Sequence, residues 1–351
     1  MAETTSFVAQ QHYPSEPKLN VAPLYFNASS QEAEVDHRHA YLYSASEDEI
    51  PTVDYLLLFS DDPVQRFLAL ENLRQACQEY GFFYLVNHNI PGEVLDSVLK
   101  GFSGFCDPKT IDERKVFGKS GPSDKIRWDL NSSAGENREY LKVVAHPQFH
   151  SPSNPSSLRK NIEEYHKAMR MMVVGLARAV SKTLGFEEDY IEKEFNLKSG
   201  FDVMALNLYP PNSRSKGAIG IPEHTDPGFV ITLVQDVDGG LQILSHQGKW
   251  INVHIPHHAI LIQLGDHLEI LTNGKYKSHI HRVIVKNNEV QRISVVTLHG
   301  PALDKFISPS TEFVDRENQQ KYQGMTYKES LEANGGDEID VQSSLEKLRL
   351  V

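Results

Sequence analysis

The chain has 351 residues, 40% hydrophobic and 23% charged, enough to bury a sizeable core in one large catalytic body with a flank or in two modest domains. A formal net charge of −12 disfavours nucleic acid and anionic membranes as partners, although a local arginine in a closed pocket can still bind a small carboxylate. Two cysteines, Cys77 and Cys106, argue against a disulfide-framed secreted scaffold and read as ordinary thiols of a reducing compartment.

Residues 1–48 read as an irregular arm, with a polar run over 29–36 and an acidic stretch over 46–49. The first eleven residues lack a positive region followed by an apolar core, so no secretory signal is expected. The longest apolar stretches, such as 169–179, are broken by arginine or too short to cross a bilayer, and the expected location is cytoplasmic. Residues 50–54 make a short edge or entry strand, where Pro51 near its start is tolerated. Helical spacing over 63–80 puts Phe67, Leu70, Leu73 and Cys77 on one side, and Gly81 stops it. Residues 82–86 are an aromatic and β-branched strand, after which His88 is expected to cap a turn. Pro91 opens a helix running through Leu95, Val98, Leu99 and Phe102.

The stretch 118–157 is rich in Gly, Pro, Ser and Asn and includes Trp128, Tyr140 and Phe149. It reads as long connections and short strands, either shaping a substrate mouth or making a plain surface excursion. Residues 157–184 form a long amphipathic helix with Ile162, Tyr165, Met169, Met172, Val173, Leu176 and Val180 on its apolar side, closed by Gly185. Its methionines are core filler at helical spacing.

From Asp202 the period changes to short β-prone runs over 203–209, 229–235, 241–244, 250–253, 259–264, 283–285 and 292–298. Runs of this kind without intervening helices predict a mainly β fold with flanking helices, built on a double-stranded β-helix, or jelly-roll, core. The organisation is then an arm over 1–48, a mixed helical region over 49–200, a jelly-roll core over 201–301 and a helical tail over 302–351 that includes 327–333.

His224-Thr-Asp226 sets an imidazole and a carboxylate at i and i+2, so on an extended backbone both reach one ion. The third ligand must come from another strand. His281 and His279 both qualify, and periodicity does not choose between them. Two histidines and one carboxylate form a facial triad, which leaves about three octahedral positions for a chelating cosubstrate and oxygen. Among 16 histidines a lone His-X-Asp is weak, and His254, His257, His258 and His267 read as satisfied or exposed side chains. Arg292 and Ser294 repeat the i, i+2 spacing and match a carboxylate, with Tyr209 and Asn207 as further donors. Alone, Arg292 reads as a surface salt-bridge residue. Beside the metal set, it would hold one end of a dicarboxylate whose 2-oxo acid end chelates iron.

Ordered motifs carry a resemblance over nearly the whole chain: Ile50-Pro-Thr-Val-Asp54, Val86-Asn-His-Asn-Ile-Pro91, Asn207-Leu-Tyr-Pro-Pro211, His224-Thr-Asp-Pro-Gly228, Gly239-Gly-Leu-Gln242, His281-Arg-Val283 and Arg292-Ile-Ser294. The chain resembles the plant-type 2-oxoglutarate/Fe(II)-dependent dioxygenase superfamily, with its isopenicillin N synthase-like fold. The resemblance implies His281 as third ligand to Fe(II), Asn207 and Tyr209 on 2-oxoglutarate, and Arg292 and Ser294 gripping its distal carboxylate. It implies O2 as second cosubstrate and ascorbate as maintaining reductant. The expected activity is oxidation of a small organic specialised metabolite or hormone, by hydroxylation, demethylation or desaturation, with release of succinate and CO2. A monomer is the default. Leu208 and Leu298 depart from the family's aromatic positions, which implies a smaller pocket wall. Two alternatives stay open: an Fe(II) oxidase of this fold that does not use 2-oxoglutarate, and a non-catalytic β-roll binding protein.

Overall fold

The structure is a computed structural model that describes residues 50–118, 124–130, 138–211, 218–245, 247–285, 290–333 and 344–350. The arm expected over 1–48 lies outside them. The strands of the two main sheets are β1 (Thr52–Asp54), β2 (Phe82–Val86), β3 (Ile126–Leu130), β4 (Glu139–His146), β5 (Phe201–Tyr209), β6 (Ala218–His224), β7 (Val230–Gln235), β8 (Leu241–Leu244), β9 (Trp250–Asn252), β10 (Ile260–Leu264), β11 (His281–Val285) and β12 (Arg292–Gly300). The helices are α1 (Pro63–Gln75), α2 (Gly92–Phe105), α3 (Ile111–Arg114), α4 (Ser156–Thr183), α5 (Tyr190–Phe195), α6 (Asp266–Leu271), α7 (Tyr327–Ala333) and α8 (Ser344–Leu348).

An eight-stranded sheet runs β1-β2-β10-β7-β12-β5-β4-β3, and a four-stranded sheet runs β6-β11-β8-β9. Among the described strands, β1 and β2 pair in parallel and the other ladders are antiparallel. Strands β1 to β4 join the jelly-roll strands in the large sheet, so chain on both sides of α4 builds one layer. Strand alternation sorts the core into two. Phe83, Leu85, Ile260, Ile262, Val230 and Val234 face the helices, whereas Phe82, Tyr84, Leu261 and Leu233 face Ile221, Leu241, Ile243 and Val283 of the small sheet. The result is helices on one face of the large sheet and the small sheet on the other.

Helix α4 buries every residue of its predicted apolar stripe, each worth roughly 1.5–3 kcal/mol of transfer free energy, and Gly185 beyond it has φ 89°. Helix α1 starts on the Asp62 carboxylate, which accepts from the Val64 and Gln65 N–H groups, with Pro63 in the first turn. It ends in a wider turn over Ala76–Tyr80 and Gly81 at φ 72°. Its buried face is Ala69, Leu73, Ala76 and Cys77; Phe67 is 66% exposed. That corrects the expected stripe, because Phe67 sits about 120° around the helix from Leu73. Both cysteines are buried free thiols. No helix among the described residues is long and apolar enough to cross a membrane.

Three further expectations need correction. Strand β6 is absent from the predicted runs because Gly220 and Pro222 interrupt it; it survives as the edge of the small sheet, where a missing N–H is tolerated. Helix α6 intervenes in the strand region, and all six of its residues are buried, so it carries no amphipathic period to read. The stretch 118–157 contains β4, an eight-residue strand paired along β5, which is more regular than connections and short strands.

Candidate metal and cosubstrate site

His224 closes β6, His281 opens β11, and the two are direct partners across the ladder, their ring centroids 4.2 Å apart. Asp226 lies two residues past the strand, where the turn into β7 is held by the start of α6. The Asp266 N–H donates to Asp226 O at 2.9 Å, the His267 N–H to Gly228 O at 3.0 Å, and the Gly228 N–H to His267 Nδ1 at 3.1 Å. Burial pushes His267 down to about 3, which keeps Nδ1 an acceptor. The Thr225 hydroxyl donates to Asp266 Oδ2 at 3.1 Å, and burial holds that carboxyl well above its ordinary range. The turn needs glycine twice: Gly228 has φ 123°, and a Cβ on Gly265 would fall well inside van der Waals contact with Gly228 O.

His224 Nε2 lies 3.6 Å from Asp226 Oδ1, and His281 Nε2 lies 3.3 Å from Asp226 Oδ2. One ligand atom from each residue falls within 4.8 Å of the others. The Nδ1 atoms face backbone carbonyls, Pro222 O at 2.7 Å and His279 O at 3.3 Å. A carbonyl only accepts, so both Nδ1 atoms carry hydrogen and both Nε2 lone pairs turn toward Asp226. Burial and the adjacent His281 push His224 down to about 4. Burial would raise Asp226, but His281 and His224 hold it down to about 2. Burial opposes protonation of His281, and Asp226 outweighs it and raises the ring. Two imidazoles and an ionised carboxylate converging on one point are a donor set that fits Fe(II).

His279 precedes β11 and turns away, its Nδ1–H donating to Leu244 O at 2.9 Å and its ring edge on Phe82. Of the two histidines left open by periodicity, His281 is the one brought to His224 and Asp226. His88 ties its turn, accepting from the Ile90 N–H at 3.2 Å and reaching His258 O at 2.8 Å. A second group of ligand-capable residues, Asp96, His257 and His258, lies on the surface.

Pairing of β12 with β5 sets Arg292 opposite Tyr209 and Ser294 opposite Asn207. Arg292 is only 8% exposed, its Nη2 donates to Gln235 Oε1 at 2.8 Å, and its guanidinium carbon lies 5.0 Å from the Tyr209 ring centroid. Its Nε and Nη1 have no partner among the described residues. Buried donors left this way are costly unless a ligand accepts from them, and a carboxylate suits a guanidinium best. One cavity of about 640 Å³ contains the triad and all four of these residues.

The model of the 2OG-Fe(II) oxygenase superfamily matches residues 200–301, and that of the non-haem dioxygenase in morphine synthesis N-terminal region matches 50–161. The protein 2-oxoglutarate-dependent dioxygenase 19 of Oryza sativa subsp. japonica is 31% identical over 309 residues, covering 86% of this chain and 90% of its own. The chain belongs to the 2OG-Fe(II) oxygenase superfamily. It is also similar to 1-aminocyclopropane-1-carboxylate oxidase 1 of Malus domestica, 34% identical over 281 residues, or 77% of this chain and 85% of that one. The crystal structure of JOX2 in complex with 2OG, Fe and JA superposes with a TM-score of 0.77 at 27% identity, covering 86% of this chain and 89% of that one.

Within this member of the superfamily, the cavity wall holds residues that sequence reasoning missed. Lys125, Arg127, Arg138 and Lys142 line it from β3, β4 and their approaches, and Lys328 and Leu331 line it from α7. Arg138 Nη1 donates to Asn207 Oδ1. The signal was present as Arg138, Tyr140 and Lys142 at i, i+2 and i+4, the spacing of one strand face. Leu298 lines the cavity, as expected for a pocket position. Leu208 does not: it packs in the helix-side core, so its departure from the family pattern leaves the pocket wall unchanged.

Proposed function

We propose that this protein is a 2-oxoglutarate- and Fe(II)-dependent dioxygenase that oxidises a small organic metabolite or hormone, hydroxylating it or, by the same chemistry, demethylating or desaturating it. The observation that carries this reading is Arg292, a buried guanidinium with two donors lacking partners among the described residues, in the cavity of the His224, Asp226 and His281 cluster. These three residues would hold Fe(II), with 2-oxoglutarate between the metal and Arg292. The cation and Ser294 would take the distal carboxylate, while Tyr209 and Asn207 orient the chain. When bound, the metal with its cosubstrates supplies the oxidising power to break a C–H bond, 2-oxoglutarate ending as succinate and CO2.

The protein's own work is placement. The Nδ1 contacts to Pro222 and His279 fix the imidazole tautomers before metal arrives. Val203, Val296 and Leu298 make a dry wall that holds the organic substrate beside the centre. The JOX2 complex, which holds JA together with 2OG and Fe, supports a small organic molecule as second substrate.

The test is stoichiometry in Fe(II)-loaded protein. Succinate formed in step with oxidised product, and lost in His224→Ala and Asp226→Ala, supports the reading. Turnover without 2-oxoglutarate would reject it in favour of an oxidase of the same fold.

A further inference from the structure

We propose that Arg138 is a positioning residue for the cosubstrate: it fixes the Asn207 amide so that the NH2 group, and not the oxygen, is the end offered to 2-oxoglutarate. This rests on the dioxygenase reading above, in which Asn207 orients that molecule.

The first support is the chemistry of the contact. Arg138 and Asn207 both line the cavity, 3% and 1% exposed, and Arg138 Nη1 donates to Asn207 Oδ1. The accepting and donating ends of a primary amide differ little in shape, so its neighbours decide which way it faces. A guanidinium only donates. The turned amide would set NH2 against guanidinium, two donors with no acceptor between them at a buried site, and both would stay unsatisfied. Asn207 Oδ1 is therefore committed to Arg138. Its NH2 has two hydrogens, and one makes a long contact with Ala205 O at 3.4 Å. Every oxygen of 2-oxoglutarate at neutral pH, on both carboxylates and on the oxo group, accepts and none donates. The orientation imposed by Arg138 is the one that suits this ligand.

The second support is how Arg138 is held. Tyr140 of β4 stands directly opposite Asn207 of β5. Arg138 lies two residues before Tyr140, on the same face, and its guanidinium carbon is 4.8 Å from the Tyr140 ring centroid. Seating on the ring across the ladder from Asn207 brings the donor to the amide. Arg292 makes the matching arrangement from the other neighbour of β5, over the Tyr209 ring. The strand that carries Asn207 and Tyr209 is thus flanked on each side by a guanidinium seated on a tyrosine.

The test uses the full chain loaded with redox-inert Mn(II). Calorimetry measures 2-oxoglutarate binding to wild type, Arg138→Met, Arg138→Lys, Asn207→Ala and the Arg138→Met, Asn207→Ala double variant. Arg138→Met and Asn207→Ala are each expected to weaken binding about tenfold. Arg138→Lys, which can still only donate, should stay within about threefold. In the Asn207→Ala background the methionine should cost less than about twofold further, because no amide is left to orient. A through-space effect of the cation would instead be the same in both backgrounds. Mn(II) affinity within about twofold of wild type reports an intact site in each variant. If the methionine variant fails that control, Arg138→Gln replaces it in the cycle with an expected loss of about threefold, since its amide can face Asn207 with either end. Equal losses in both backgrounds, a lysine variant as weak as the methionine one, or wild-type affinity in Asn207→Ala overturns the proposal. Failure of 2-oxoglutarate to bind the wild-type Mn(II) form overturns the dioxygenase reading beneath it instead.

Discussion

Replacing Arg292 with leucine removes a buried cation whose Nε and Nη1 find no acceptor among the described residues. A hydrogen bond to a charged group contributes about 1.5–3 kcal/mol, so the loss of two costs about 3 kcal/mol or more of 2-oxoglutarate binding. At about 1.4 kcal/mol per decade, affinity should fall at least about a hundredfold. Arg292→Lys keeps the charge but replaces a planar fork with a point donor, and should fall between, near tenfold. Titration of 2-oxoglutarate into the Mn(II) form by calorimetry at fixed salt measures both. Metal affinity serves as the control, since Arg292 is no part of the triad. The leucine variant should fold well, because its side chain leaves no guanidinium to desolvate. If it binds 2-oxoglutarate within about threefold of wild type, the orphaned donors are not the cosubstrate grip and the reasoning fails.

Three other expectations test separate parts of the structure. His281→Ala should abolish Fe(II) or Mn(II) binding, whereas His279→Ala, which removes a bond to Leu244 O and the edge contact with Phe82, should retain it; equal loss in both would contradict the assignment. Gly265→Ala forces a methyl against Gly228 O and should cost about 1–3 kcal/mol of stability while weakening metal binding through the displaced Asp226 turn, read by thermal melting and metal titration. Buried Asp202 accepts from Arg170 Nη1 at 2.8 Å, His166 Nε2 at 2.9 Å and His299 Nδ1 at 3.2 Å. Burial alone would raise its carboxyl, but His299, His166 and Arg170 hold it well below the usual range. Its stabilisation is therefore complete above the unfolded value of about 3.9 and is lost as pH falls toward the lower folded value. Asp202→Asn should cost about 3–5 kcal/mol at pH 7 in urea unfolding, and the gap should narrow only below about pH 4; a gap that closes at neutral pH would refute this.

Much of the site was legible because strand alternation is local information. Arg292 with Ser294, and Asn207 with Tyr209, share faces by spacing alone, and the ladder then sets the two pairs side by side. The choice between His279 and His281 was not legible from periodicity, since it depends on where β11 begins and on its pairing with β6 and β8, both set by residues far away in the chain. Only the family pattern singled out His281. Asp226 illustrates a different limit. The i, i+2 argument assumes an extended backbone, yet β6 ends at His224, and the carboxylate is delivered by a turn clamped to α6. The Arg127–Lys142 wall was missed because its strands lie among Gly-, Pro- and Ser-rich stretches that read as connections.

The two halves of the proposed cosubstrate site belong to opposite layers, the histidines to the small sheet and Arg292 with Ser294 to the large one. With 2-oxoglutarate held as proposed, the ligand acts as a strut across the sandwich. The gap between the layers then becomes a ruler for diacid length, and a homologue one carbon shorter or longer should bind more weakly, because the spacing is set by the packing of Leu233, Leu241, Ile221 and Val283 between the sheets.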